Sequence, residues 1–190
     1  MEYQNQGLDR LLAAYCSPAL AGIKPANLVS CDRARYPDLP YRLLAYRKAF
    51  ACRGMRFEIL CSCGGRYLLL VYQQQRLAQR LAEPGVQRAL RYFGYAEGQT
   101  MEALLCRLRC RMAASDGFPH EIGLFLGYPV EDVMGFVRYG GRGCKLSGYW
   151  KVYGDAEEAA RLFERLSRVC RAVTRRVEQG ETLLQVFAAS

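Results

Sequence analysis

The chain has 190 residues, 51% hydrophobic and 24% charged, a balance that excludes a disordered tail and predicts one ordinary folded domain. It carries 27 basic and 18 acidic residues, nine cysteines and a single histidine. One histidine excludes any site that needs two within one chain, such as a HExxH metalloprotease centre, and leaves His120 as the one imidazole for Ser-His or Cys-His catalysis.

The cysteines are expected to be thiols rather than disulfides. Residues 1–9 hold no apolar signal segment, and no stretch approaches the ~20 apolar residues that span a bilayer. We therefore expect a cytoplasmic protein with no membrane contact, in which most cysteines are ordinary buried thiols.

The net charge of +9 is carried by residues 1–113, and all but four of the basic residues are arginine. Arginine suits bidentate recognition of phosphate and carboxylate groups, while a GC-rich genome gives the same bias without any function. The chain contains no RNA-binding motif that combines aromatic and basic residues and no helix-turn-helix pattern. A nucleic-acid partner is therefore the least favoured hypothesis.

The N-terminal half predicts helices around a β-hairpin. Two β-rich runs, 57–60 and 67–72, flank a turn with two glycines, which is typical of an antiparallel hairpin. The second run is apolar throughout, so it should be a central strand. Also predicted are a helix over 7–21 interrupted at Pro18, a strand over 27–31, and helices over 43–52, 73–81 and 84–92.

The C-terminal half is mostly helical. A helix is predicted over 98–113, two short helices over 118–139, a single strand over 146–153, and a long helix over 156–178 capped by Asp155. The glycine-rich loop 139–143 leads into a strand, so it is interpreted as a flexible turn rather than an anion cradle. The whole pattern predicts a single α+β domain over 1–190, with a small, mainly antiparallel sheet of about four strands covered by helices.

The densest group of unusual residues lies at 116–129, which holds the only histidine among three glycines, two prolines and three aromatics. His120 beside Glu121 is a candidate general base, or an imidazole ligand to a metal or haem; the alternative is a helix-capping histidine. Strand residues 147–153 concentrate aromatics with a lysine and suit a flat ligand such as a flavin or a base. The ligand-binding candidates are Lys24, Tyr128, Tyr149, Trp150 and Lys151.

The other candidate site residues are cysteines, as metal ligands or as a nucleophile. Cys61 and Cys63 on the hairpin turn, with Cys106 and Cys110 on a helix, are weak candidates for zinc or an iron–sulfur cluster, because neither spacing is the CxxC knuckle. Buried or incidental thiols, or redox chemistry at Cys61 and Cys63, are the alternatives. Cys16 is a candidate nucleophile if it approaches His120.

Three motifs carry a resemblance to a known family: CSPALAGIKPANL (16–28), FPHEIGLFLGYPVEDVMGF (118–136) and SGYWKVYGD (147–155). They resemble the bacterial domain-of-unknown-function family thirty-seven ninety-three, over essentially the whole chain. Relatives tend to have a threonine where Ala19 stands, so no hydroxyl role is assigned there. The resemblance implies no established activity or cofactor. It implies redox or iron-related work in anaerobic bacteria, with a flavodoxin-like redox partner.

Two functional hypotheses follow. The first is a cytosolic binding or accessory protein of redox or iron metabolism, with flavin, haem or an iron–sulfur cluster as the candidate cofactor. The second is a thiol-dependent enzyme that uses a cysteine with His120 as base. The first hypothesis predicts one pocket built from His120, Glu121, Tyr128, Tyr149, Trp150 and Lys151, with Cys16 and Lys24 nearby.

Overall fold

The structure is a computed structural model that describes residues 6–114 and 118–188, without the side chains of Cys63 and Ala188. Contacts within the chain group it into two compact units. The first unit combines Met1–Arg76 with Leu166–Ser190, and the second unit is Leu77–Arg165.

A three-stranded antiparallel sheet forms the centre of the first unit. Its strands are β1 (Ala26–Asp32), β2 (Met55–Cys63) and β3 (Arg66–Gln73), in the order β1-β3-β2. The predicted hairpin and the central position of its apolar strand are therefore confirmed. The helices of this unit are α1 (Gln6–Leu20), α2 (Leu39–Ala49), the C-terminal part of α8 (Ala156–Glu178) and α9 (Leu183–Ala188), with a 3-10 turn at Ala51–Arg53.

Alternation along the strands builds the core of this unit. Val29 on β1 and Leu69 and Val71 on β3 belong to one buried cluster with residues of these four helices. Successive side chains of a strand point to opposite faces, so each strand contributes every second residue to this cluster. The period-two pattern thus determines which sheet face the helices cover.

Helix α1 is continuous, so the predicted interruption at Pro18 is wrong. Pro18 lies inside the helix, two residues before its end. Proline has no N–H to donate to the carbonyl four residues earlier, so the helix continues through Pro18 without one hydrogen bond of its ladder and ends two residues later. Lys24 and Ile23 both donate backbone hydrogen bonds to the Pro18 carbonyl as the chain turns away.

The second unit is helical, with a two-stranded ribbon. Strands β4 (Leu146–Ser147) and β5 (Lys151–Val152) pair antiparallel. The helices are α3 (Gln74–Ala82), α4 (Pro84–Tyr92), α5 (Met101–Ala114), α6 (Ile122–Phe125), α7 (Val130–Tyr139) and the first part of α8 (Ala156–Glu178). Asp155 caps α8 as predicted, because its carboxylate accepts the backbone N–H groups of Glu157 and Glu158 at 2.9 Å.

The single strand predicted over 146–153 is wrong, since this stretch is the β4–β5 ribbon with a tight turn at Gly148. The backbone N–H of Gly148 donates to the carbonyl of Trp150 at 3.1 Å, which closes the turn. Glycine within a β-rich run marks a sharp bend or a close approach, and here it marks both.

The predicted α+β class with small antiparallel sheets is confirmed. In the part of the chain that the structure describes, three strands lie in one sheet and two in another, rather than about four in one. No helix within the described residues combines the length and the apolarity that crossing a membrane requires.

Candidate functional site

A pocket of about 350 Å³ in the second unit gathers five of the six residues from which the first hypothesis builds its pocket, namely all but Glu121. One side comes from the segment 118–136 and the other from the ribbon turn at 147–151. These are two of the three motifs that carry the family resemblance. Its lining consists of Phe118, His120, Ile122, Gly123, Tyr128, Asp132, Val133, Phe136, Ser147, Gly148, Tyr149, Trp150 and Lys151.

Asp132 joins the two motifs. Its Oδ2 accepts the indole Nε1–H of Trp150 at 2.7 Å, and its Oδ1 accepts the backbone N–H groups of Tyr153 at 2.7 Å and Gly154 at 2.9 Å. The carboxylate is 3% exposed. Buried charge is stable only when its lone pairs are satisfied, and three donors from one ribbon satisfy this one. Asp132 therefore clamps the ribbon onto helix α7 and holds the indole in place.

Aromatic rings form the wall of the pocket. The ring of Tyr128 stacks on the indole of Trp150 with centroids 4.6 Å apart and an interplanar angle of 24°. Phe163 meets the same indole edge-on at 4.5 Å. Trp150 is 8% exposed and Tyr149, which follows the turn beside it, is 39% exposed. The wall thus has a rigid base and a rim that faces solvent.

Two lining glycines are required by the closeness of these rings. A Cβ on Gly148 would lie 2.4 Å from the ring of Phe163, and a Cβ on Gly123 would lie 2.8 Å from Val133 and 3.0 Å from the ring of Tyr128. Any side chain at either position would push apart the aromatic wall. Gly123 and Gly148 are therefore required for packing rather than for chain flexibility.

Two basic side chains contribute polar groups to the pocket. The imidazole of His120 contacts the ring of Phe136, with centroids 5.0 Å apart. The ammonium of Lys151 donates to the carbonyl of Gly141 at 2.9 Å, which uses one of its three N–H groups. Asp132 is the only acid among the described lining residues, and its oxygens are occupied by the ribbon, so the pocket offers positive charge and hydrogen-bond donors to a ligand.

Glu121 does not share the pocket with His120, contrary to the prediction. It is 1% exposed, and its Oε1 accepts hydrogen bonds from Nε of Arg111 and from the hydroxyl of Tyr95. Burial and the neighbouring carboxylate raise the pKa of the Tyr95 hydroxyl. Adjacent residues at the start of α6 point in different directions, so Glu121 holds α5 and α6 together and is no partner for the imidazole.

Cys16 and Lys24 belong to the first unit, whereas the pocket lining belongs to the second. Both side chains are buried. Burial raises the pKa of the Cys16 thiol, with smaller contributions from Cys31 and Cys170. Burial also lowers the pKa of Lys24 to about 8, although the neighbouring thiols oppose that shift. A nucleophilic thiol needs a lowered pKa and access, so this environment gives Cys16 neither.

The expectation that most cysteines are buried is wrong. Of the eight whose side chains are described, only Cys16, Cys31 and Cys170 are buried. Cys106 and Cys110 are exposed because they lie on the face of α5 opposite the buried Leu104, Leu105, Leu108 and Met112.

The four weak metal candidates are not brought together as a site within the described residues. In that part of the chain, no three His, Cys, Asp or Glu side chains lie close enough to hold a metal ion. Cys61 is half-buried on β2, and the side chain of Cys63 lies outside what the structure describes.

Sequence reasoning missed Asp132, Phe136 and Gly148. Asp132 is an acid in the first turn of α7, a position where solvent exposure is the usual outcome. Gly148 did carry a signal, since a glycine inside a β-rich run indicates a close approach. Nothing local distinguishes Phe136 from an ordinary core residue.

The fold and the pocket define an α+β protein with an aromatic-walled pocket in its second unit. The chain belongs to a family described as "Protein of unknown function (DUF3793)", whose model matches residues 12–187 and so spans both units. The resemblance seen in the three motifs is thereby confirmed. No curated protein and no solved structure matches the chain.

Proposed function

We propose that the protein binds a flat, aromatic, anionic small molecule in the pocket of its second unit, with a flavin as the leading candidate. The observation that carries this proposal is the stacked pair Tyr128–Trp150 beside His120 and Lys151. Mostly apolar pockets with a few convergent polar groups are the usual form of a small-molecule site.

The aromatic wall supports a planar ligand. Tyr149 is 39% exposed at the rim and its ring tilts against that of Phe163, with centroids 5.5 Å apart, so the rim of the pocket is aromatic like its wall. Stacking on such a face contributes about 1–3 kcal/mol per ring. The volume of about 350 Å³ is near the lower end for ligand sites, which suits one ring system better than a macrocycle such as haem.

The basic groups support a negative charge on that ligand. Lys151 keeps two N–H donors after its bond to Gly141, and the imidazole of His120 lines the same pocket. The proposal includes a cytoplasmic role in redox or iron metabolism, with a flavodoxin-like partner. The redox or iron context and the flavodoxin-like partner rest on the family resemblance alone.

Trp150 makes the proposal directly measurable, because it is the only tryptophan and lies in the pocket wall. The intact chain is titrated with flavin mononucleotide and with riboflavin, and indole fluorescence is followed. We expect saturable quenching. Tyr128→Leu and His120→Ala should weaken binding of both ligands about tenfold, and Lys151→Gln should weaken only the phosphorylated one.

Tyr92→Ala is the matched control, because Tyr92 is an exposed aromatic of the same unit outside the pocket. It should bind both ligands as the unaltered chain does. The proposal is overturned if neither flavin quenches Trp150 and the anaerobically purified chain carries no flavin absorbance. Equal weakening by Tyr92→Ala and His120→Ala would also overturn it, since binding would then not be at the pocket.

A further inference from the structure

A second site, unrelated to the aromatic pocket, lies in the first unit at the tip of the β2–β3 hairpin. There a groove of about 610 Å³ runs between the hairpin turn and the loop that follows β1. The hairpin turn is the segment that the sequence singled out for its cysteines, and the proposed function does not use it. The lining residues are Asp32, Arg33, Ala34, Pro37, Gly64, Gly65, Arg66 and Tyr67.

The backbone brings two arginines to this groove. Asp32 at the end of β1 pairs with Arg66 at the start of β3, and the N–H of Arg33 then donates to the carbonyl of Gly65 at 3.0 Å. This bond ties the loop to the hairpin turn, so Arg33 and Arg66 meet at one end of the sheet. Gly64 and Gly65 both have positive φ, which the tight turn requires.

Both guanidinium groups are held in place by neutral neighbours. Arg66 donates through Nε to the hydroxyl of Ser30 and through Nη2 to the Ser30 carbonyl at 3.4 Å. The guanidinium of Arg33 lies over the ring of Tyr67, 5.3 Å from its centroid. A guanidinium has five N–H donors, so these contacts orient the group and leave most of its donors available.

Within residues 6–114 and 118–188, neither guanidinium forms an ion pair. The one acid in the groove, Asp32, directs its Oδ1 at the backbone N–H of Ala34, 2.8 Å away. The groove therefore presents two fixed cations against one carboxylate that is engaged with its own loop. Fixed, unpaired guanidinium groups are the usual means of recognising phosphate oxygens in bidentate fashion.

The net charge of the whole unit also favours an anionic ligand. The first unit contains fifteen basic and seven acidic residues, whereas the second contains twelve and eleven. Almost all of the net charge of +9 therefore belongs to the unit that carries the groove. Such an excess attracts anions at long range, and the attraction falls as salt is added.

We propose that the groove between the β1–α2 loop and the hairpin turn binds a phosphate-bearing ligand, with Arg33 and Arg66 as the two phosphate-binding side chains. The ligand carries at least two negative charges, to match two guanidinium groups. The same chemistry is offered by a free polyphosphate and by the backbone of a single-stranded nucleic acid, and the experiment separates these sources.

The test measures binding of inorganic pyrophosphate to the intact chain by calorimetry at low salt. Arg33→Gln and Arg66→Gln should each weaken binding about tenfold or more. Arg35→Gln is the matched control, because Arg35 lies in the same loop, is exposed and does not line the groove. It removes the same charge and should change the affinity less than about twofold.

A short single-stranded RNA is then titrated in place of pyrophosphate. Binding that depends on Arg33 and Arg66, and is tighter than that of pyrophosphate, assigns the groove to a nucleic-acid backbone. Tighter binding of pyrophosphate assigns it to a free polyphosphate. The proposal is overturned if neither probe binds, or if Arg35→Gln weakens binding as much as the two groove variants. Thermal unfolding of each variant confirms that it is folded.

Discussion

Trp150 donates its indole Nε1–H to Oδ2 of Asp132 across 2.7 Å, and this contact joins two motifs whose residues lie 18 positions apart. It also explains how a ribbon of only two residues per strand is stable. Isolated two-stranded ribbons are marginal in water, so the β4–β5 ribbon depends on the carboxylate that accepts its side-chain and backbone N–H groups.

Asp132→Asn should therefore loosen the ribbon and the pocket wall. An amide keeps one acceptor oxygen but places an NH₂ group where the carboxylate accepted a hydrogen bond, so at least one donor is left unpaired. We expect the free energy of unfolding to fall by about 2–3 kcal/mol and the emission of Trp150 to shift to longer wavelength. Urea denaturation followed by fluorescence measures both quantities.

The neighbouring Glu131→Gln is the control for this change, since Glu131 is an exposed acid in the same helical turn. It should leave the emission maximum unchanged. An Asp132→Asn chain with unaltered stability and emission would show that the carboxylate is not the clamp described above.

Gly148→Ala should disrupt the wall by overpacking. The added Cβ would lie 2.4 Å from the ring of Phe163, closer than any real contact, so ring or backbone must move. Overpacking of this kind costs about 1–3 kcal/mol of stability. This loss of stability should vanish when Gly148→Ala is combined with Phe163→Ala, because the smaller side chain leaves room for the added Cβ. Gly85→Ala on α4, where a Cβ meets nothing closer than 3.9 Å, should not destabilise the chain. A cost for Gly148→Ala that persists without the Phe163 ring would contradict this explanation.

Tyr46→Phe should weaken the core of the first unit. The Tyr46 hydroxyl donates to Oδ1 of the buried Asp9 at 2.6 Å. Burial raises the pKa of Asp9, while the tyrosine hydrogen bond opposes this shift. Removing the donor should lower the free energy of unfolding by about 1–3 kcal/mol, measured by chemical denaturation near neutral pH.

Tyr41→Phe is the control: it removes the hydroxyl of an exposed tyrosine on the same helix and should lower the free energy of unfolding by less than about 0.5 kcal/mol. Equal costs for the two variants would show that the buried hydrogen bond contributes nothing.

The lowered pKa of Lys24 should make the free energy of unfolding depend on pH. Burial lowers its pKa to about 8 from the ordinary value of 10.5. Between these two values the unfolded chain binds more protons than the folded one, so the stability contributed by this group rises with pH. Relative to Lys24→Met, the free energy of unfolding of the unaltered chain should rise by about 2 kcal/mol between pH 7 and pH ~9.5, measured by urea denaturation.

Lys48→Met is the control: it replaces an exposed lysine of α2, so the unaltered chain should show no such rise relative to this variant. A difference between the unaltered chain and Lys24→Met that stays constant with pH would contradict the buried ammonium.

Alkylation of the native chain tests the thiol-enzyme alternative. The exposed Cys52, Cys106 and Cys110 should react with iodoacetamide, whereas Cys16 should react only after unfolding, because it is buried and its pKa is raised. Peptide mapping after timed labelling gives the order of reaction. Labelling of Cys16 ahead of Cys106 in the folded chain would restore Cys16 as a candidate nucleophile.

The sequence by itself determined the helices, the hairpin and the family. The glycine turn between β2 and β3 and the Asp155 cap are local signals, and both are confirmed because the interactions that produce them span only a few residues. The position of β3 at the centre of its sheet was also predictable, since a strand that is apolar on both sides must be covered on both.

Only the tertiary structure decided how the site residues are used. Glu121 and His120 are adjacent in the sequence, yet one is paired inside the unit and the other faces the pocket, because a helix start turns successive side chains in different directions. In the sequence Asp132 is an ordinary acid near a helix end, whereas in the structure a distant segment supplies three hydrogen-bond donors to its carboxylate. The grouping of the positive charge with Arg33 and Arg66 likewise depends on strand pairing across more than 30 residues. Such long-range contacts leave no periodic trace in the sequence, which is why they had to be observed.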